Sequence, residues 1–282
     1  MNADHFLTTG SKHISQGRPC EDYAWSGPID GERVVGVVSD GCSGALANTD
    51  IGARTITFAF VRYVQSVKNS GSDSFRGDFY KTLQKSFAAP RLTDAPDDYL
   101  ATLVGFVATE QTASVFLMGD GAIATKDSEG IHQLIEIEWY GNAPYYLDYT
   151  LRTGFRERFL EKLPDSGFQA VERRTTEFSS GTDGVHILSC NAERLGFEAL
   201  ENGMVFDFKP KDQGLVALAV MTDGIAHVGS ISAPSVVAEL LSFKNTLGGF
   251  VKRRIRKALT EFTKGGHTAR DDIAISCVWM GE

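Results

Sequence analysis

The chain has no Cys-x-x-Cys pair, no apolar run long enough to span a bilayer and no excess of positive charge. Its four cysteines, Cys20, Cys42, Cys190 and Cys277, are too widely spaced for a structural zinc site. The opening MNADHFLTTGSKH carries an Asp, two His and no apolar core, so it does not read as a secretory leader. Reduced thiols and a cytoplasmic location are therefore expected. The longest apolar runs, VVGVV and LVALAVM, fall far short of the roughly 20 residues a membrane helix needs. A formal net charge of −8 argues against a general nucleic-acid binder. Neither a fixed-period repeat nor a low-complexity tract is visible. Nucleic acid and membrane are thus both set aside as partners.

What is present is 282 residues with a 42% hydrophobic fraction, ordinary for a globular protein. That length suits one large domain or two small ones. Three apolar runs each end in Asp-Gly: VVGVVSDG at Asp40-Gly41, ASVFLMGDG at Asp120-Gly121 and LVALAVMTDG at Asp223-Gly224. Two acidic pairs, Glu21-Asp22 and Asp271-Asp272, stand just before apolar stretches. Asp-Gly is also a common hairpin-turn signal, and Asp30-Gly31 and Asp183-Gly184 read as turns.

The apolar patterns predict strands at 22–26, 33–41, 100–109, 112–126, 131–139, 215–224 and 273–280. Helical spacing runs over 50–68, with Asp50 as a candidate N-cap, over 75–88, and over 234–263 with a break near Gly248-Gly249. Residues 140–213 mix Gly, Pro, Asn and charge with short β-like pieces, HILSC and MVFDF. They read as an insertion on the core sheet within a single domain spanning 1–282. Strands, helices and strands again suggest a layered α+β architecture.

Strand polarity says which acids should meet. Asp22 precedes a strand and Asp40 ends its hairpin partner, so an antiparallel pairing makes them neighbours. The same rule brings Asp223 near Asp271, and Asp120 ends a further strand. Carboxylates gathered on one sheet edge repel and raise one another's pKa values. Divalent cations relieve that cost, and an all-oxygen donor set suits Mg²⁺ or Mn²⁺. Two such ions can bind a phosphate and activate water.

The order of these pieces resembles the metal-dependent protein phosphatases of the PP2C (PPM) family. The matching segments are GRPCEDYAW, VVSDGCSG, LATLVGFV, FLMGDGAIA, AVMTDGIAHV and ARDDIAISCVWM, spread over nearly the whole chain. GSKHISQGRPCEDY is most similar to a divergent bacterial branch. The resemblance implies a four-layer αββα sandwich: two antiparallel sheets face to face, with helices outside. It implies that Asp40 bridges two metals, with the Gly41 carbonyl on the first. Asp223 and Asp271 would hold the second, Glu21 and Asp22 would act largely through water, and Asp120 would serve a third ion. The stretch 140–213 would be the family's flap over the substrate. The implied activity is Mg²⁺- or Mn²⁺-dependent hydrolysis of phosphoserine and phosphothreonine by a metal-bridging hydroxide. Asp40 and Asp223 would be catalytic, the partner a phosphorylated protein, and a Ser/Thr kinase would oppose the enzyme.

Some positions depart from the family pattern. The Arg that usually clamps phosphate is replaced by Gly17, and Arg18 follows one residue later as the candidate substitute. His13 is a candidate second contact or a packing histidine. Cys42 stands where some members carry His, Gly121 replaces Ser in the Gly-Asp-Ser-Arg motif, and His227 lies four residues after Asp223, where many members have Asp. These departures keep open a pseudophosphatase that binds a phosphoprotein or partner without turnover. A metal-stabilised scaffold is a third reading. The KRRIRK run at 252–257 reads as a solvated helix face or a docking patch for an acidic partner.

Overall fold

A computed structural model describes residues 1–42, 49–67, 75, 78–88, 95–163 and 170–281. The strands are β1 Asn2–Thr8, β2 Tyr23–Pro28, β3 Val34–Ser39, β4 Leu103–Ala108, β5 Ala113–Met118 and β6 Gly121–Asp127. They continue with β7 Ile131–Trp139, β8 Val171–Gly181, β9 Gly184–Leu195, β10 Met204–Phe208, β11 Leu215–Met221 and β12 Ile273–Trp279. The helices are α1 Ser11–Gln16, α2 Asp50–Ser66, α3 Phe79–Ala88, α4 Phe155–Leu160, α5 Ala233–Leu240 and α6 Phe250–Lys264. Among the described residues no helix is long and apolar enough to cross a membrane.

One sheet has five strands in the order β10-β5-β4-β3-β2, and the other has seven in the order β1-β12-β11-β6-β7-β8-β9. The neighbouring pairs are antiparallel. β2 and β3 lie against β1 and β12, and β4 lies against β6 and β11. α2 covers the outer face of β2, β3 and β4, with α3 beside it, while α6 covers β1 and β12 and α5 covers β7, β8 and β9. The result is the expected αββα sandwich.

This layering explains the residue choice. β3, β4 and β5 are buried along their whole length because one face meets the other sheet and the other meets a helix. Continuous apolar runs, not alternating ones, are what such strands require. Gly36 marks the closest approach of the sheets: a Cβ there would lie 2.3 Å from the Phe106 ring and from Ser276 Oγ. On the far side, Ile225, Val236, Val237, Leu240, Phe250, Val251 and Ile255 form a second core beneath the seven-stranded sheet.

The chain changes sheets at Gly119-Asp120-Gly121. β5 ends in the five-stranded sheet and β6 begins in the other, with φ of 87° at Gly119 and 134° at Gly121. Only glycine takes such angles readily. The corner places Asp120 between the sheets instead of at the end of one continuous strand.

Four further differences from the sequence reading have local causes. β1 and α1 lie in the N-terminal segment, whose apolar content gives no clear period. Asp50 is the first residue of α2, and Thr49 holds the cap position without a side-chain bond. The second helix begins at Phe79, with 76–77 outside the described residues. The stretch 140–213 is more ordered than its composition suggests. Val171–Gly181 and Gly184–Leu195 form a long hairpin at the edge of the seven-stranded sheet, and Met204–Phe208 adds an edge to the five-stranded one. Its first part, Tyr140 to Leu163, is short turns and helix.

Candidate active site

The strand registers decide which acids share an end of the sandwich. Tyr23 pairs with Ser39, so Asp22 and Asp40 are the next step of the same ladder. Met221 pairs with Ile275. Thr222 N then donates to Ala274 O at 3.1 Å, and Ala274 N donates to Thr222 Oγ1 at 2.9 Å. Thr222 Oγ1 in turn donates to Asp22 Oδ2 at 2.6 Å, tying one sheet's acid to the other sheet's strand end. Thr102, from Asp40's own sheet, holds the Asp40 main chain. Its N donates to Asp40 O at 2.9 Å, and its Oγ1 accepts from Asp40 N at 3.1 Å. Trp139 Nε1 donates to Gly119 O at 2.8 Å and pins the Asp120 corner.

The carboxyls of Asp22, Asp223 and Asp120 lie close enough to that of Asp40 for it to feel their charges. Burial, followed by the charges of Asp22, Asp223 and Asp120, holds Asp40 well above the usual carboxylate range. Burial does the same to Asp22, with Asp272 adding to the shift and the Thr222 hydroxyl opposing it. Asp120 is raised by burial and by Asp223. Asp223 is raised by burial, and the nearby exposed His227 opposes that shift. Carboxyls this close repel when ionised, and a divalent cation relieves that repulsion. The donors are all oxygen, which fits a hard cation.

A second group adjoins the first. Asp272 is buried and accepts from Gly10 N at 2.7 Å and from Glu21 N at 2.6 Å. His13, 1% exposed, sits with Nδ1 3.0 Å from Asp272 Oδ2 and Nε2 3.6 Å from Glu21 Oε2. Ligand atoms of His13, Asp271 and Asp272 lie within 4.8 Å of one another. Arg18 closes this group by an ion pair with Glu21. Burial raises the Glu21 carboxyl, against the pull of His13 and Arg18.

Asp22, Asp40, Asp120 and Asp223 are therefore brought into one cluster, with Glu21 and Asp271 at its flank. Gly41 bridges to Ala101, and its N donates to Glu21 O at 3.2 Å. Arg18 is engaged by Glu21, and His13 is a buried link between two acids. Two residues were missed. Asp272 was visible only as the second half of an acidic pair. Tyr146, which lies near Cys42 and feels the charges of Asp120 and Asp40, comes from the insertion and carries no local signal.

Fold and acid cluster together define an αββα protein with a group of carboxyls at one end of its two sheets. The chain belongs to the protein phosphatase 2C family, whose model matches residues 9–262. Solved structures agree in fold across the whole chain. A bacterial serine phosphatase is 13% identical with a TM-score of 0.58, covering 100% of this chain and 98% of that one. The serine/threonine phosphatase Stp1 from Staphylococcus aureus is 13% identical with a TM-score of 0.57, covering 100% and 96%. PppA, a key regulatory component of the T6SS in Pseudomonas aeruginosa, is 15% identical with a TM-score of 0.52, covering 98% and 95%. No curated protein sequence matches.

Proposed function

We propose that this chain is a Mg²⁺- or Mn²⁺-dependent phosphatase acting on phosphoserine and phosphothreonine in a protein substrate. The carrying observation is the cluster of Asp22, Asp40, Asp120 and Asp223, gathered at the junction of the two sheets, where burial and mutual repulsion raise their pKa values. Asp40, the Gly41 carbonyl, Asp223 and Asp271 would hold two ions, Glu21 and Asp22 would act through water, and Asp120 would serve a third. Bound ions supply Lewis acidity and neutralise phosphate charge.

The chain's own residues do the positioning. Thr102 and Thr222 fix Asp40 and Asp22 from opposite sheets. Asp272 and His13 fix Glu21, and Glu21 in turn sets the direction of Arg18. We assign the substrate phosphate to Arg18, whose side chain is 28% exposed at the rim. Guanidinium suits the planar oxygens of a phosphate. The stretch 140–213 would be the flap, with Tyr146 near the cluster, and an opposing Ser/Thr kinase would supply the substrate.

The test is turnover of a generic phosphoester and a phosphothreonine peptide with Mn²⁺. Asp40→Asn and Asp223→Asn should each lower kcat by at least about a hundredfold. Near-wild-type activity in either variant overturns its assigned role. Two observations favour the binding-only reading: Arg18 is paired with Glu21, and Cys42 stands where a His would be. No turnover by folded, Mn²⁺-loaded protein would establish that reading instead.

A further inference from the structure

A cavity of about 190 Å³ opens immediately beside the acid cluster, at Cys42, two residues after Asp40. Its walls are Cys42, Pro144, Tyr146, Tyr149, Phe159 and Leu163. Cys42 N donates to Leu100 O at 2.9 Å, which fixes that wall to the same strand end as Asp40. Tyr146 joins the two regions: it lines the cavity beside Cys42 and feels the charges of Asp120 and Asp40. The opposite rim is shaped by a sharp bend. Gly141 has φ of 65°, and Asn142 has φ of 52°, the one non-glycine positive φ among the described residues. Such strain persists where the surroundings impose it, often at ligand clamps. No carboxylate lines the cavity, and Lys162 is its one charged residue among those described.

We propose that this cavity is a specificity pocket for an aromatic or branched apolar side chain of the substrate, within a residue or two of the phosphorylated one. The inference rests on the phosphatase reading above. A peptide that brings its phosphate to the acid cluster can lay a neighbouring residue along the Cys42–Tyr146 wall. Aromatic and aliphatic walls reward an apolar side chain and offer little to a polar one. Discrimination by such a pocket is about tenfold or more.

The experiment compares kcat/KM for p-nitrophenyl phosphate and for two phosphothreonine peptides that differ only in Phe or Ser at the flanking positions. Wild type should prefer the Phe peptide by about tenfold. Tyr149→Ala and Leu163→Asn should each bring that ratio close to one while leaving p-nitrophenyl phosphate turnover within about twofold. Leu163→Asn, at a partly buried position, serves if Tyr149→Ala fails to fold. Equal use of the two peptides by wild type, or an unchanged ratio in the folded variants, overturns the pocket. If wild type does not turn over p-nitrophenyl phosphate, the phosphatase reading has failed. Fluorescence anisotropy of the labelled peptides then decides the pocket: tighter Phe-peptide binding supports it, and equal binding overturns it.

Discussion

Asp272 carries more hydrogen bonds than its neighbours and has no place among the metal ligands assigned above. It takes Gly10 N on one oxygen, Glu21 N on the other, and faces the buried His13. Removing its carboxylate would strand two main-chain donors, at about 1–3 kcal/mol for each one left unsatisfied. Asp272→Ala should therefore lower unfolding free energy in urea by roughly 2–6 kcal/mol by that reckoning. Asp272→Asn, which keeps one acceptor, should lose less than half as much. Equal stability of Asp272→Ala and wild type would show that water satisfies those donors. The acidic pair Asp271-Asp272 was legible in sequence, but its division of labour was not. Asp272 bonds residues 262 and 251 positions away, and no local pattern encodes that. Asp22 and Asp40 were legible because a hairpin makes strand start and strand end adjacent. His13 was ambiguous because its burial depends on the distant pairing of β1 with β12.

Elements were readable where their period was strong and their partners were near in sequence. β3, β4 and β11 have continuous apolar runs and fall close to their expected bounds, β7 keeps its bounds with a mixed composition, and the single strand expected over 112–126 is two, β5 and β6. β1 and β8 were missed, and β9 was read only as its HILSC piece, because these strands lie at or near sheet margins, where one face is wet and the composition is mixed. Helix α6 shows a different limit. Its N-cap residue, Gly249, offers no side chain. Its first donors are instead met by Asp4 on β1, whose Oδ2 accepts from Val251 N at 2.7 Å and Lys252 N at 3.1 Å. This cap also puts a negative charge at the positive end of the helix dipole. Asp4→Ala should cost about 0.5–2 kcal/mol, and Asp4→Asn should recover most of it. Chemical denaturation reads both. A cost in Asp4→Ala that Asp4→Asn fails to recover would assign the effect to charge alone. The exposed cations of the same helix, Lys252, Arg253, Arg256 and Lys257, stand on its solvent side as the spacing implied.

At the scale of the whole molecule, the two sheets are joined at one end by acids that repel each other. Asp22 and Asp40 belong to the five-stranded sheet, Asp223 to the seven-stranded one, and Asp120 to the corner between them. Their folded-state pKa values are raised by burial and by one another. A group raised in this way gives stability that is fully present below its unfolded pKa, about 3.9 for Asp. That stability is lost as pH rises through the folded value. Metal-free protein at neutral pH therefore carries a penalty at the sheet junction that acidification relieves. Bound cations need the same carboxylates deprotonated, so protons and metal compete. The stabilisation by metal is about 2.7 kcal/mol when its concentration is 100 times Kd. His132 acts in the opposite sense. Burial and Lys126 push its ring down to about 4, so it gives stability above its unfolded value near 6.5 that is lost as pH falls toward 4. It lies on β7 stacked against Phe178, outside the acid cluster, so it affects metal-loaded and metal-free protein alike and cancels in their difference. The quantity to measure is the Tm with saturating Mn²⁺ minus the Tm in chelator, at pH 7.5 and again at pH 5.5. The gap should be large at the higher pH and shrink at the lower one. A gap that stays constant or widens on acidification would mean that the ions are held by groups other than these raised carboxyls.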